Sequence, residues 1–116
     1  MNLFEDQRIF MEACGQLTNV YNEKQFELYM ELIREEYNEL LDAENKVKVL
    51  DALMDILVVT IGAIHSFGVD GEAAWREVVR SNMSKVDAVS GKVLKREDGK
   101  ILKPDGYSKP NFEQFL

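Results

Sequence analysis

Residues 49–64, VLDALMDILVVTIGAI, decide the fold. They are apolar almost all the way round a helix, which is typical of a helix buried on most sides, and we predict that it spans residues 46–67. Asp51 and Asp55 lie one turn apart on one of its faces, and that face carries no lysine or arginine. Burying an unpaired carboxylate is costly, so these acids need a partner or a metal ion. Gly62 would let another helix or a ligand approach closely.

The preceding helix, predicted over residues 23–44, carries a second group of acids. Glu35, Glu36 and Glu39 border its apolar stripe, with Arg34 as the only basic residue nearby. Residues three and four apart are neighbours on a helix surface, so these like charges repel one another. A solvated helix face usually interleaves lysines among its acids, and this one does not.

Two helices that each carry acids can meet with those acids facing one another. Every ligand would then be a carboxylate oxygen, and such hard ligands favour Mg²⁺ or Mn²⁺ over zinc. Protein-bound Mg²⁺ usually keeps several waters and accepts substrate phosphates, which indicates metal-assisted phosphate hydrolysis. The spacing alone leaves a second interpretation equally open, namely an ordinary acidic helical bundle whose carboxylates are solvated.

The rest of the chain completes an all-α architecture, a four-helix bundle with a short C-terminal β-hairpin and an extended arm. The remaining helices are predicted over residues 3–17 and 71–86. Asp98-Gly99 is a strong hairpin turn signal. Because a lone hairpin is marginal in water, it must pack on the bundle or on a partner chain. We treat residues 1–116 as one domain, with a helical core over about 3–87 and the hairpin and arm over about 91–116.

Composition narrows the class of protein. Proteins that bind nucleic acids or anionic membranes mainly through their overall charge are positively charged, whereas this chain has a net charge of -7. We therefore expect neither nucleic acid nor an anionic membrane as a partner. The single cysteine fits a reducing compartment, and the start of the chain lacks the pattern of a secretory signal, so we predict a cytoplasmic protein. A chain of 116 residues buries a modest core alone, and its third helix is apolar nearly all round. We therefore predict at least a homodimer.

Several segments together resemble the MazG-like all-α nucleoside triphosphate pyrophosphohydrolases, particularly their compact phage and cassette-type members. The acid pattern is the moderately specific part, and its combination with the C-terminal segments is much more specific. The segments are FMEACGQ (10–16), EEYNEL (35–40), DALMDILVV (51–59), SNMSK (81–85) and DGKILKPDGYSKP (98–110).

The resemblance implies Mg²⁺-dependent hydrolysis of (deoxy)nucleoside triphosphates to monophosphate and pyrophosphate, a nucleotide-pool house-cleaning activity in which Mn²⁺ is a possible substitute. It also implies dimers or dimers of dimers. The family usually has a glutamate where this chain has Ala52, and Asp51 is the expected substitute. The predicted metal ligands are Glu36, Glu39, Asp51 and Asp55. The predicted catalytic residues are Glu35, Glu36 and Glu39, with Glu35 holding a second ion or accepting a proton from the attacking water.

Substrate contacts are predicted outside the acidic helices. By the resemblance, Asn82 and Lys85 help to hold the substrate. Lys100 and Lys103 on the tail are further candidates for the phosphates, because the hairpin could fold over the site. Gln16 and Tyr107 are candidates for contacts with the base.

Two other functions fit the same sequence. A phosphoribosyl-ATP pyrophosphohydrolase shares the fold and the use of acids, so substrate profiling separates it from the first interpretation. A non-enzymatic helical interaction module, with the arm binding a partner, would leave the acids solvated and tolerant of replacement.

Overall fold

The computed structural model describes residues 2–116, and within them the secondary structure is helical. The described residues contain no β-strand, which confirms the predicted all-α class. None of these helices has the length and hydropathy to cross a lipid bilayer. The elements are α1 (Leu3–Ala13), α2 (Glu23–Leu41), α3 (Lys46–Phe67), α4 (Gly71–Met83) and a short 3₁₀ turn, Glu113–Phe115.

By its contacts the chain forms two compact units, the first ending at Gly71 and the second beginning at Glu72. The first unit holds α1, α2 and α3, and the second holds nearly all of α4 together with the tail. A single functional domain over residues 1–116 stays a prediction.

Asparagine residues cap the N-termini of the first three helices. Asn2, Asn22 and Asn45 precede α1, α2 and α3, and each side-chain oxygen accepts the backbone N–H three residues later at 2.9 Å. These bonds satisfy donors that the helix itself cannot pair, and each such cap typically stabilises a helix by about 1 kcal/mol. The starts of α2 and α3 therefore have a local cause that is visible in the sequence.

The predicted ends were wrong for three helices and correct for α3. Helix α1 was predicted to reach residue 17, but it ends at Ala13 because Gly15 adopts a left-handed conformation with φ of 77°. The N–H of Gly15 then donates to Glu12 and that of Gln16 to Met11, the paired bonds of a Schellman motif. Helices α2 and α4 also stop about one turn early. The C-terminus of α3 is as predicted, with Gly68 at φ 83°.

The core of the first unit lies between α2 and α3, with α1 packed on α3. Its centre is Tyr29, whose ring lies directly on the backbone of Gly62. A Cβ atom at position 62 would come within 2.6 Å of Cδ1 and 2.7 Å of Cζ of that ring, so only glycine leaves room for it. The close approach expected at Gly62 is therefore made by another helix. The other core side chains are Met11, Val59 and Ala63, flanked by Phe26, Leu32 and Ile33.

The predicted β-hairpin does not form as a pair of strands. The turn at Asp98-Gly99 is present, with Gly99 at φ 89° and its N–H donating to the Arg96 carbonyl at 2.9 Å. Only one antiparallel bridge, between Lys95 and Ile101, joins the segments on the two sides of this turn. The flanking side chains are exposed, and a hairpin without a packed face has little to stabilise its ladder. The turn prediction is confirmed and the strand prediction is wrong.

The arm is anchored to α4 by a charged pair. Glu77 accepts two hydrogen bonds from Arg80, at 2.7 and 2.8 Å, and a third from the backbone N–H of Asn111 at 2.6 Å. Arg80 also donates to the carbonyl of Lys109 at 3.2 Å. The bonds from Arg80, and then that from Asn111, lower the pKa of Glu77 to about 2. The anchor therefore stays charged over the whole ordinary pH range.

Replacing Gly62 by alanine is expected to lower the free energy of unfolding by about 1–3 kcal/mol, the usual range for an overpacked core. The added methyl group must displace the Tyr29 ring, although alanine alone would favour the helix by about 1 kcal/mol. Urea unfolding followed by circular dichroism measures the difference. Gly106→Ala is the matched control, because a Cβ there meets nothing within 4 Å, and it should change stability little. Equal stability of Gly62→Ala and the parent would contradict this account of the helix contact.

Candidate functional site

Three carboxylates from two helices converge in the first unit. Glu36 and Glu39, one turn apart on α2, meet Asp55 of α3. Each offers an oxygen, and these oxygens lie within 4.8 Å of one another. Glu36 and Asp55 are half-buried and Glu39 is exposed. The packing of α2 on α3 thus brings together acids that lie far apart along the chain, and we call these three residues the acidic cluster.

Within the acidic cluster, the side chain of Glu36 is in an unfavourable environment for a negative charge. Its Oε2 is shielded from solvent and has no hydrogen-bond partner in the structure. Burial raises the pKa of Glu36, and the negative charges of Glu39 and Asp55 raise it further. A shielded carboxylate oxygen among other carboxylates is unfavourable unless a proton or a cation accompanies it.

No basic side chain in the described part of the chain compensates the acidic cluster. Arg34, the basic residue nearest in sequence, is paired with Glu31. None of the three clustered acids takes part in an ion pair with a described residue. A set of carboxylate oxygens without a protein cation matches the ligand preference of a hard divalent ion. The residues therefore fit a Mg²⁺ or Mn²⁺ site.

Two predicted acids are not brought into the acidic cluster. Asp51 is exposed and lies outside the group, although its charge is close enough to add to the rise in the pKa of Glu36. Ala52, at the position where the resemblance calls for a glutamate, is buried. Glu35 is also exposed and lies outside the group, next to Glu36 in sequence. Their roles as ligand and as catalytic residue stay predictions.

Four of the predicted substrate-binding residues meet in the second unit. Lys85 donates to the side-chain oxygen of Asn82 at 3.4 Å, and its ammonium nitrogen lies 5.7 Å from the centre of the Tyr107 ring. Lys103 approaches the same ring at 5.1 Å. Lys100 does not join them; its backbone N–H donates to Asp98 within the turn.

Gln16, the other candidate for base binding, has a structural partner. Its side-chain oxygen accepts a hydrogen bond from the hydroxyl of Tyr29 at 2.6 Å. Burial raises the pKa of Tyr29, so this hydroxyl is protonated and able to donate at neutral pH. Sequence reasoning missed this contact, because the spacing of residues 16 and 29 does not indicate which loop residue meets a core tyrosine. It likewise missed the anchor between Glu77 and Asn111, although Glu77 and Arg80 stand at pairing distance on a helix.

The comparisons with known proteins bear on the helical part of the chain. The sequence profile of the phosphoribosyl-ATP pyrophosphohydrolase family matches residues 7–82. That range contains the whole acidic cluster and ends at Asn82, so Lys85, Lys103 and Tyr107 lie beyond it. No curated protein matches the chain.

Replacing Asp55 by asparagine keeps the volume of the side chain and removes one charge from the acidic cluster. The metal-free variant is expected to be as stable as the parent or more stable, because a like-charge contact with Glu36 is relieved. Magnesium at a hundredfold excess over its Kd should stabilise the parent by about 2.7 kcal/mol and the variant much less. Thermal unfolding with and without Mg²⁺ measures both effects.

Asp51→Asn is the matched control, since it removes the same charge one turn away on α3. It should retain most of the stabilisation by Mg²⁺. If it loses that stabilisation as fully as Asp55→Asn, Asp51 is a ligand. If Asp55→Asn keeps the full Mg²⁺ effect, the acidic cluster does not bind the metal.

Proposed function

We propose that this chain, which belongs to the phosphoribosyl-ATP pyrophosphohydrolase family and through it to the MazG-like all-α superfamily, hydrolyses (deoxy)nucleoside triphosphates to monophosphate and pyrophosphate. Family membership points to pyrophosphohydrolase activity on nucleotide-like substrates. The choice of triphosphates, the dependence on Mg²⁺ and a house-cleaning role in the cytoplasm are our proposals. Nucleic acids and membranes are not among the expected partners.

The observation that carries the proposal is the shielded, unpartnered oxygen of Glu36 among the carboxylates of Glu39 and Asp55. These three residues would hold Mg²⁺, with Mn²⁺ as a possible substitute, and Asp51 could extend the ligand set. When bound, the ion supplies positive charge that polarises phosphoryl oxygens and lowers the pKa of water.

The remaining chemistry would come from side chains of the chain itself. Glu35 is exposed and adjacent to Glu36, so its carboxylate is available to accept a proton from the attacking water. Asn82 and Lys85 would hold the phosphates, with Lys100 and Lys103 as further cations. Gln16 and Tyr107 remain candidates for contacts with the base.

A second candidate substrate is phosphoribosyl-ATP, and the family profile that matches residues 7–82 favours it. The bond broken would again lie between two phosphoryl groups, and the acidic cluster would have the same role. The two candidates differ in the group attached to the nucleotide, so a comparison of turnover separates them.

We also propose that the protein is a homodimer or a dimer of dimers. Large apolar side chains follow one another along α3 at helical spacing and stay uncovered: Val47 is 79% exposed and Leu50 61%. Met54 and Leu57 continue this stripe and are also exposed. Contiguous exposed apolar patches on a small protein usually mark an interface, and a second copy would cover this one.

The reaction products test the function. We expect a panel of nucleoside triphosphates and phosphoribosyl-ATP, incubated with Mg²⁺, to yield monophosphate and pyrophosphate from its best substrate. Product separation by ion-exchange chromatography identifies the bond that is cleaved. Asp55→Asn should lose most of the turnover, because a ligand is removed. Orthophosphate and diphosphate as the first products would refute the assignment.

Sedimentation equilibrium tests the assembly. The parent is expected to be at least dimeric at micromolar concentration, and Leu50→Glu should shift it towards monomer, because burying a charge without a partner opposes association. Val89→Glu is the control, since Val89 is 95% exposed on the tail and far in sequence from α3. A monomeric parent would count against the proposed interface.

A further inference from the structure

The side-chain amide of Gln16 has one fixed end and one free end. Its oxygen accepts the hydroxyl hydrogen of Tyr29 at 2.6 Å, and its nitrogen makes no hydrogen bond with any residue that the structure describes. Burial raises the pKa of Tyr29, so the hydroxyl keeps its proton and is the donor at neutral pH. Gln16 is half-buried, which leaves part of its side chain accessible. The end that is free for a ligand is therefore the NH₂ group, which carries two donors and no acceptor.

The backbone around Gln16 is also held in place. The N–H of Gln16 donates to the carbonyl of Met11 at 2.9 Å. On its other side, the amide of Gln25 pairs with both backbone groups of Leu17, accepting from the N–H at 3.0 Å and donating to the carbonyl at 2.6 Å. Gln25 also donates to the hydroxyl of Ser66 on α3 at 2.9 Å. The loop therefore fixes the position of Gln16 before any ligand binds, which lowers the entropic cost of binding.

The acidic cluster lies about the length of one nucleoside away from this tyrosine along the paired helices. Glu36 comes seven residues after Tyr29 on α2, about 10 Å along the helix axis. On α3, Asp55 is separated by the same interval from Gly62, on which the Tyr29 ring lies. Because the helices run antiparallel, both intervals extend in the same direction. A nucleotide whose phosphates bind a metal at the acidic cluster can thus direct its base towards Gln16.

We propose that Tyr29 is a positioning residue for base recognition, and that the amide of Gln16, which it orients, selects bases with a carbonyl oxygen rather than an amino group at position 4 of a pyrimidine or position 6 of a purine. A carbonyl oxygen accepts from the NH₂ group, whereas an amino group would face it donor against donor. A free glutamine could turn its amide over to suit either base, but the bond to Tyr29 opposes that turn. The choice of nucleotides as ligands rests on the proposed function.

Matched pairs of substrates test this preference. With Mg²⁺ and the full chain, we expect kcat/KM to be about tenfold higher or more for dUTP than for dCTP, and for dITP than for dATP, because the amino base leaves donors unpaired. Within each pair the two substrates differ by the single group in question. Each ratio is measured on one protein, so it does not depend on the fraction that is folded. A ratio near one in either pair, or a preference for the amino bases, would overturn the proposal.

Gln16→Glu tests the direction of the hydrogen bond. It replaces the NH₂ donor by an acceptor oxygen while the Tyr29 hydroxyl can still hold the other oxygen, so the preference should reverse in favour of dCTP and dATP. Asn19→Asp is the matched control, because it adds the same charge to the same loop at an exposed position. The control should keep both ratios of the parent. An unchanged preference in Gln16→Glu would show that this amide does not read the base.

Tyr29→Phe tests the positioning role, because it keeps the ring that packs on Gly62 and removes only the hydroxyl. With the amide of Gln16 free to turn over, both ratios should fall towards one. A purely structural Tyr29 would alter stability or overall turnover and leave the ratios unchanged, which would reject the positioning role. Tyr37→Phe is the control, since Tyr37 lies on the same helix, is exposed, and makes no hydrogen bond with a described residue through its hydroxyl.

Binding of monophosphates separates this inference from the proposed reaction. Isothermal titration calorimetry with dUMP and dCMP, and with dIMP and dAMP, needs no turnover. Tighter binding of dUMP and dIMP that is lost in Tyr29→Phe, by a protein that hydrolyses no nucleotide, would support the base recognition and refute the reaction. Hydrolysis with equal kcat/KM for the two members of each pair would overturn the base recognition alone.

Discussion

The contact between the Tyr29 ring and the backbone of Gly62 sets how α2 and α3 pair, and the acidic cluster depends on that pairing. The two helices are joined by a short connection, so they run antiparallel. Seven residues after Tyr29 comes Glu36, and seven residues before Gly62 comes Asp55. Seven residues are about two helical turns, so both positions stay on the faces that meet. One close approach in the core therefore determines which carboxylates face one another.

Features fixed within one element were predictable from the sequence. The residue range of α3 was predicted from its continuous apolar run. That Glu36 and Glu39 lie next to each other on the helix surface was predicted from helical spacing alone. The meeting of these residues with Asp55 was a hypothesis that required two helices to pack in one register. Asp51 shows where spacing fails: it is one turn from Asp55, yet it lies exposed and outside the acidic cluster.

Features that join distant segments were less predictable. The turn at Asp98-Gly99 was visible because its chemistry is local, whereas strand formation depends on a packed face that the tail does not provide. Lys85, Lys103 and Tyr107 were each predicted to contact the substrate, Lys85 from the resemblance and the other two on separate grounds, but their approach to one another was not predicted. The anchor through Glu77 was not predicted either. Hydrogen bonds across 34 residues leave no periodic trace in a sequence.

The register between α2 and α3 also limits which insertions and deletions are compatible with the acidic cluster in related proteins. One residue added between Tyr29 and Glu36 would turn both glutamates of the acidic cluster by about 100° away from Asp55. Two seven-residue intervals, from Tyr29 to Glu36 and from Asp55 to Gly62, set this register. The connection between α2 and α3, residues 42–45, lies outside both intervals and could change length without altering either. Insertions and deletions among related proteins should therefore be found mainly in that connection and be rare inside the two intervals, whatever substrate each protein hydrolyses.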